Sequence, residues 1–362
     1  MKHNLALITA LLLAPLASLH AAELVEVRKI WEQAPHNAFT DLRRFRDSWF
    51  CVFREASGHN SPDGALRVIT SADGAQWESS SLVRLTPEDF GGMKPAIPPQ
   101  GSYMDLRDPH LCITPGGQLM LNSCLAYNGG HNWQSLAWFS ADGRNWGEPV
   151  LIGEPQYWLW RVTWHQGAAY GVGRVATERI PRLYRSDDGR LFDVLVKDAE
   201  FFPHLPGPSE ATVRFLADDT ALCLLRLNRM RGAKTDHAHL GTSRPPYTQW
   251  TWQDLGAPIG GPDLIELPDR RLIAAVRLYD GNIRTALCRI DRQGGKMEEF
   301  LTLPSGGETS HGERTTRGDT SYAGLVFHDG LLWVSYYSSH EGKAAIYLAR
   351  VKMESLQKEA KP

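Results

Sequence analysis

Beyond the first twenty or so residues, no stretch of the chain is apolar for the roughly 20 residues a membrane-crossing helix needs. Excess charge is missing as well. Lys and Arg number 39 against 41 Asp and Glu, a balance that gives no reason to expect nucleic acid or an anionic membrane surface as partner. Cysteines are few and odd in number: Cys51, Cys112, Cys124, Cys223 and Cys288 show no CxxC spacing. HExxH and Gly-rich phosphate loops are also absent, so neither a metal nor a cofactor is expected. Amphipathic helical patterning is scarce; "DLRRFRD" carries charges but no apolar stripe.

The start of the chain has its own grammar. A short basic opening at Lys2 is followed by an apolar run over residues 5–17 and small residues up to Ala22. That order predicts a signal peptide over 1–22, cleaved after Ala21 or Ala22, and hence a protein exported to the periplasm or the exterior. Without Lys2 the mature chain has 38 basic and 41 acidic residues, a net charge near −3. Export permits disulfides, but the odd count predicts buried thiols instead. Residues 23–353 are expected to form one domain and 354–362 a tail.

What is present is a repeat. Six segments share an apolar strand, a tight polar turn and a second apolar strand: "NAFTDLRRFRDSWFCVFR" from Asn37, "DPHLCITPGGQLMLNSC" from Asp108, "LWRVTWHQGAAYGVGR" from Leu159, "EATVRFLADDTALCLLR" from Glu210, "GPDLIELPDRRLIAAVR" from Gly261 and "SYAGLVFHDGLLWVSYY" from Ser321. β-Branched and aromatic residues flanking Gly, Asp or Asn are hairpin chemistry. A second phrase recurs between them: "SADGAQW" from Ser71, "SADGRNW" from Ser140, "SDDGRLF" from Ser186 and a worn "SRPPYTQW" from Ser243. In such a turn Asp caps backbone NH groups, Gly supplies positive φ and the aromatic folds back. Six such units predict an all-β fold: a six-bladed β-propeller of four-stranded antiparallel sheets. The last blade would be closed by the N-terminal strand, residues 24–30 pairing with 345–349.

The S-x-D-G-x-x-W phrases on this six-hairpin chain resemble the Asp boxes of the sialidase (neuraminidase) superfamily. Lining up the hairpins puts Arg54, Arg174, Arg226 and Arg277 at one equivalent position, with Cys124 and Tyr337 in the other two. Converging guanidinium groups would make a receptor for a carboxylate. The resemblance implies a glycan substrate, an exo-acting glycosidase and a terminal acidic sugar, sialic acid or similar, released with retention. "SEATVRFLADDTALCLLR" resembles the family's Glu–Arg pair in Glu210 and Arg226, and Arg277 resembles the third arginine. Tyr322 in "GDTSYAG" resembles the tyrosine nucleophile, the known exception to two-carboxylate glycosidases; Glu210 would then take its proton.

In the N-terminal half the chain departs from that pattern. Where sialidases open the first blade with Arg-Ile-Pro, this sequence reads "HNAFTDL", so Arg54 is the candidate to replace the first arginine. Asp63 in "SPDG" is the candidate acid/base, with Asp108 and Asp41 as alternatives. Arg107 and His59 complete the expected substrate contacts. Structural roles are open too: an ion pair would explain Glu210 with Arg226, and a packed aromatic Tyr322. Two further functions fit the same residues: hydrolysis of another glycan, such as one containing uronic acid, or glycan binding without catalysis.

Overall fold

The computed structural model describes residues 22–86, 88–89, 103–175, 180–204, 207–230, 235–306 and 319–353. The expected signal peptide (except Ala22) and the tail 354–362 lie outside them. Six antiparallel sheets form the blades of a propeller, and each chain segment runs from an inner strand outward. The inner strands are His36–Phe45, Met104–Ile113, the split pair Tyr157–Leu159 and Thr163–His165, Pro208–Phe215, Ile259–Glu266 and Thr320–His328.

Both faces of a blade pack on neighbours, which is why the strands read as continuous apolar runs rather than alternating ones. Ser48–Ala56, "SWFCVFREA", is buried at every position but the first. Val52, Leu66 and Val68 of the first blade meet Leu111, Leu121 and Leu125 of the second in one apolar layer. Ile273, Ala275 and Leu287 of the fifth meet Leu325, Leu332 and Val334 of the sixth in another. All five cysteines are free and buried.

Closure uses both chain ends. Ala22–Trp31 pairs antiparallel with Ala345–Met353 as the outer strand of the sixth blade, a somewhat longer pairing than the sequence suggests. A closed ring leaves few free edges.

The repeated phrases are turns between the third and fourth strands. Asp73 Oδ1 accepts from the Ala75 and Gln76 NH groups at 2.8 and 3.0 Å, and the Gly74 NH donates to Ser71 Oγ at 2.8 Å. The same bonds recur at Ser140–Asp142 and Ser186–Asp188. The Trp77 indole donates to the Gly74 carbonyl, and Trp250 of the worn copy donates likewise to Tyr247. Gly143 has φ +73°, and a Cβ there would lie 2.4 Å from Phe50 of the preceding blade. These aspartates are therefore clamps at the rim, remote from any site on the axis.

One irregularity repeats on the inner strands and builds the centre. The pairing of each slips between Ala38 and Asp41, Arg107 and His110, Pro208 and Ala211, Gly260 and Asp263, and Ser321 and Gly324. In the third blade the strand breaks outright between Leu159 and Thr163. A bulge re-aims one side chain. Several bulge residues adopt positive φ: Phe39 (61°), Asp108 (48°), Gly261 (53°) and Tyr322 (51°). Non-glycine residues there cost on the order of 1–3 kcal/mol each, a strain that clusters at functional sites.

Candidate active site

The bulges bring Phe39, Asp108, Trp160, Glu210 and Tyr322 to the lining of one cavity of about 360 Å³ on the axis. Glu210 and Tyr322, 112 residues apart in sequence, meet directly: the Tyr322 hydroxyl donates to Glu210 Oε1 at 2.8 Å. Arg226 Nη1 donates to both Glu210 oxygens at 2.6 and 2.7 Å and lies 3.4 Å from the Tyr322 hydroxyl. The Gly261 NH donates to Glu210 Oε2 at 2.8 Å. A Cβ at Gly261 would lie 2.7 Å from the Tyr322 ring, so glycine is what lets the ring sit there. The Tyr322 carbonyl accepts from Thr40 Oγ1 at 2.9 Å, which ties the bulge to the first blade.

These contacts set the proton positions. Burial opposes Glu210's charge, but Arg226, the Gly261 NH and the Tyr322 hydroxyl outweigh it and hold the carboxyl down at about 2. Burial and the Glu210 charge push the Tyr322 phenol well above its ordinary value. The pair at rest is a carboxylate accepting from a neutral phenol. Asp108 goes the other way. Burial, aided by the negative charge of Glu210 and opposed by Arg107 and Arg54, raises its carboxyl to about 7. Its Oδ1 is buried with no hydrogen-bond partner among the described residues. Two acids on one cavity with environments that drive their pKa values apart are the signature of divided acid and base roles.

Several expected residues are held elsewhere. Asp63 is exposed; its carboxylate accepts from the Ser57 NH and hydroxyl at 3.0–3.2 Å, and it does not line the cavity. The feature of "SPDG" that matters is Gly64, where a Cβ would lie 1.9 Å from Asp105 Oδ1. Asp41 is fully buried on the axis away from the cavity lining. It accepts from the Leu42 and Leu111 NH groups and pairs with Arg161 at 2.9 Å. Arg161 in turn approaches Asp263 at 3.4 Å and donates to the Ala323 carbonyl at 3.0 Å.

The arginines are in the expected register. Arg54 pairs with Ala38, Cys124 with Arg107, Arg277 with Gly260 and Tyr337 with Ser321, each just before a bulge. They do not form an open trio. Arg54 is completely buried, donating through Nε to Asp105 at 2.7 Å, through Nη1 to the Gly58 carbonyl and through Nη2 to Ser61. Arg277 lies over the Tyr322 ring, 5.0 Å from its centroid. Arg107 and His59 do line the cavity, and Arg107 Nη1 donates to the His59 carbonyl and Asn60 Oδ1.

The sequence offered Trp158 and Trp160 either as core or as aromatics that stack on a sugar face, and they do line the cavity in a wall with Trp133 beside Arg174; Asp319, Asp105 and Trp133 were not singled out. Only the position of Asp319, three residues before Tyr322, was there to signal it. His36, His59 and Asp319 place ligand atoms within 4.8 Å of one another. Asp319 already accepts from Arg277 and Tyr337, and nothing else in the site calls for a metal.

No protein-family model and no curated protein matches the chain. Its fold has solved counterparts. A protein of unknown function from Dyadobacter fermentans is 17% identical, with TM-score 0.73 over 92% of this chain and all of that one. Trypanosoma rangeli sialidase is 12% identical, with TM-score 0.64 over 88% of this chain. This chain spans about half (55%) of that enzyme's length. The same sialidase is known as a covalent intermediate with 2,3-difluorosialic acid. An α-L-arabinofuranosidase from Fusarium graminearum is 14% identical, with TM-score 0.63 over 88% of this chain and 93% of that one. The fold is thus the six-bladed propeller that a sialidase and an arabinofuranosidase share. At such identities the likeness speaks for architecture; function has to be argued from the site.

Proposed function

We propose that the chain is an exported, exo-acting glycoside hydrolase that removes a terminal sugar with retention of configuration. Tyr322 is its nucleophile, Glu210 the base for that nucleophile and Asp108 the acid/base. The observation that carries this reading is the Tyr322–Glu210–Arg226 contact on the same cavity as a carboxyl raised to about 7. The likeness to the two glycosidases supports it at the level of fold.

In the first step the Tyr322 oxygen bonds to the anomeric carbon and its proton passes to Glu210 across the 2.8 Å hydrogen bond. The glycosidic bond breaks as Asp108 gives its proton to the leaving oxygen. Glu210 is a weak base toward a resting phenol; transfer becomes favourable only as the forming C–O bond acidifies the hydroxyl. In the second step Asp108, now a carboxylate, takes a proton from water, whose oxygen bonds to the anomeric carbon. Glu210 returns its proton to the departing phenolate. Every group ends as it began, and two inversions give retention.

Tyr322→Phe tests this directly. Removing a nucleophile lowers kcat by about four orders of magnitude or more, whereas one lost hydrogen bond costs about 1 kcal/mol of stability. A folded Tyr322→Phe protein with full activity on its own substrate would defeat the reading. So would inversion at the anomeric carbon followed by NMR.

A further inference from the structure

The guanidinium that lies over the ring of the nucleophile already holds a carboxylate. Arg277 Nη2 donates to Asp319 Oδ1 at 2.8 Å and to the Tyr337 hydroxyl at 2.8 Å, and Nε donates to the Thr320 carbonyl at 2.7 Å. Tyr337 donates to the same Asp319 oxygen at 2.7 Å, so its hydroxyl accepts from Arg277. Nη2 is therefore committed to this hydrogen-bonded acceptor pair. A guanidinium grips a carboxylate bidentately through either Nε with Nη2 or Nη1 with Nη2, and both edges need Nη2. Arg277 keeps only Nη1, which lies 3.5 Å from the Tyr279 hydroxyl.

Arg54, the expected replacement for the first arginine, does not make up the loss. Arg54 is enclosed, with a partner at each nitrogen. At the first-blade bulge stands Phe39, packed edge-on against Tyr322 at 4.9 Å and Tyr337 at 5.4 Å. A sugar carboxylate on the carbon facing Tyr322 would meet the fixed charge of Asp319 with no free guanidinium edge on Arg277 to offset it.

The geometry points to Asp319 as an internal carboxylate that fills the Arg277 receptor, so that the sugar accepted carries no carboxylate on the carbon Tyr322 attacks. The substrate class is an uncharged aldose glycoside rather than a sialoside. This rests on the glycosidase reading for the word "substrate" and on Arg277 and Asp319 alone for the occupancy. The charge that makes a neutral phenol a better nucleophile than a second carboxylate is then supplied by the protein instead of the sugar.

The test titrates free sialic acid by calorimetry into the wild-type chain, Asp319→Ala and Asp319→Asn, with circular dichroism as the check of folding. In parallel, aryl sialosides and uncharged aryl furanosides and pyranosides are offered to the wild type. Expected is no saturable binding of sialic acid by the wild type and binding at least about tenfold tighter by Asp319→Ala, a change of about 1.4 kcal/mol. Asp319→Asn, which keeps the shape but not the charge, moves the same way and serves if the alanine variant fails to fold. Turnover is expected on uncharged glycosides only. Wild-type hydrolysis of a sialoside overturns the inference, as does sialic acid binding that Asp319 substitutions leave unchanged. No turnover of any glycoside, with binding still gained on removing Asp319, would sink the glycosidase reading and leave the occupied receptor standing.

Discussion

Replacing Asp108 by asparagine disables the site and, at neutral pH, stabilises the fold; both effects can be sized. The carboxyl is raised from 3.8 to about 7 in the folded protein, while in the unfolded chain it ionises near the ordinary value. Between those pH values the folded state holds a proton that the unfolded state has lost, so stability falls as pH rises through that window. Roughly three pH units at about 1.36 kcal/mol each give about 4 kcal/mol, fully lost above pH 7. Asparagine cannot ionise and escapes that loss. A chain of this size unfolds with an entropy of about 0.7 kcal/mol/K, so the gain amounts to about 6 °C in Tm at pH 8. At pH 4 it vanishes. Activity on a poor leaving group falls about 10²- to 10⁴-fold, the range for a lost general acid. The assay is thermal unfolding of both proteins by circular dichroism from pH 4 to 8, beside rate measurements. Parallel Tm curves with no pH-dependent gap would refute the claim that Asp108 is buried as the neutral acid.

Four further outcomes follow from the same geometry. In the wild type, kcat/KM falls about tenfold per pH unit above pH 7 as Asp108 loses its proton, with no acid limb until pH nears 2, where Glu210 protonates; a pH–rate profile with a flat alkaline side contradicts this. Gly261→Ala lowers kcat more than it raises KM, because the added methyl displaces the Tyr322 ring; unchanged kcat would show the ring is not positioned by that contact. Arg54→Leu costs about 3 kcal/mol in urea unfolding because Asp105 is left buried with only Arg107; a raised KM at full stability would instead make Arg54 a substrate ligand. Gly143→Ala costs about 1–3 kcal/mol from positive φ and the clash with Phe50, with kcat unaffected; an activity loss at full stability would tie the rim turns to the site.

The fold was legible because its turns are written in local chemistry. Ser71, Asp73, Gly74 and Trp77 make their bonds to one another, so spacing alone reveals them. The same spacing put Arg54, Arg226 and Arg277 in register and singled out Glu210 and Tyr322. What spacing could not convey was which of these side chains were already engaged. Arg54 is enclosed by Asp105, 51 residues on, and Asp319 reaches Arg277 from 42 residues away in the next blade; neither pairing has a local signature. Asp63 looked catalytic by its distance from a turn, yet its own loop takes up its carboxylate. Asp108 could have been preferred on pattern: "RDP", "SEA", "GGP" and "SYA" stand at equivalent bulges, and Asp108, Glu210, Gly261 and Tyr322 are their middle residues. A bulge shows in sequence only when several copies are compared, since each alone reads as ordinary strand.

The central claim is that the phenol of Tyr322, rather than a carboxylate, attacks the sugar. It is tested most directly by trapping the glycosyl-enzyme with a fluorinated glycosyl fluoride of whichever sugar the chain turns over, followed by digestion and tandem mass spectrometry. The expected product is one sugar attached to the peptide containing Tyr322, through its phenolic oxygen, with no adduct in Tyr322→Phe. An ester on Glu210 or Asp108, with Tyr322 unmodified, would contradict it.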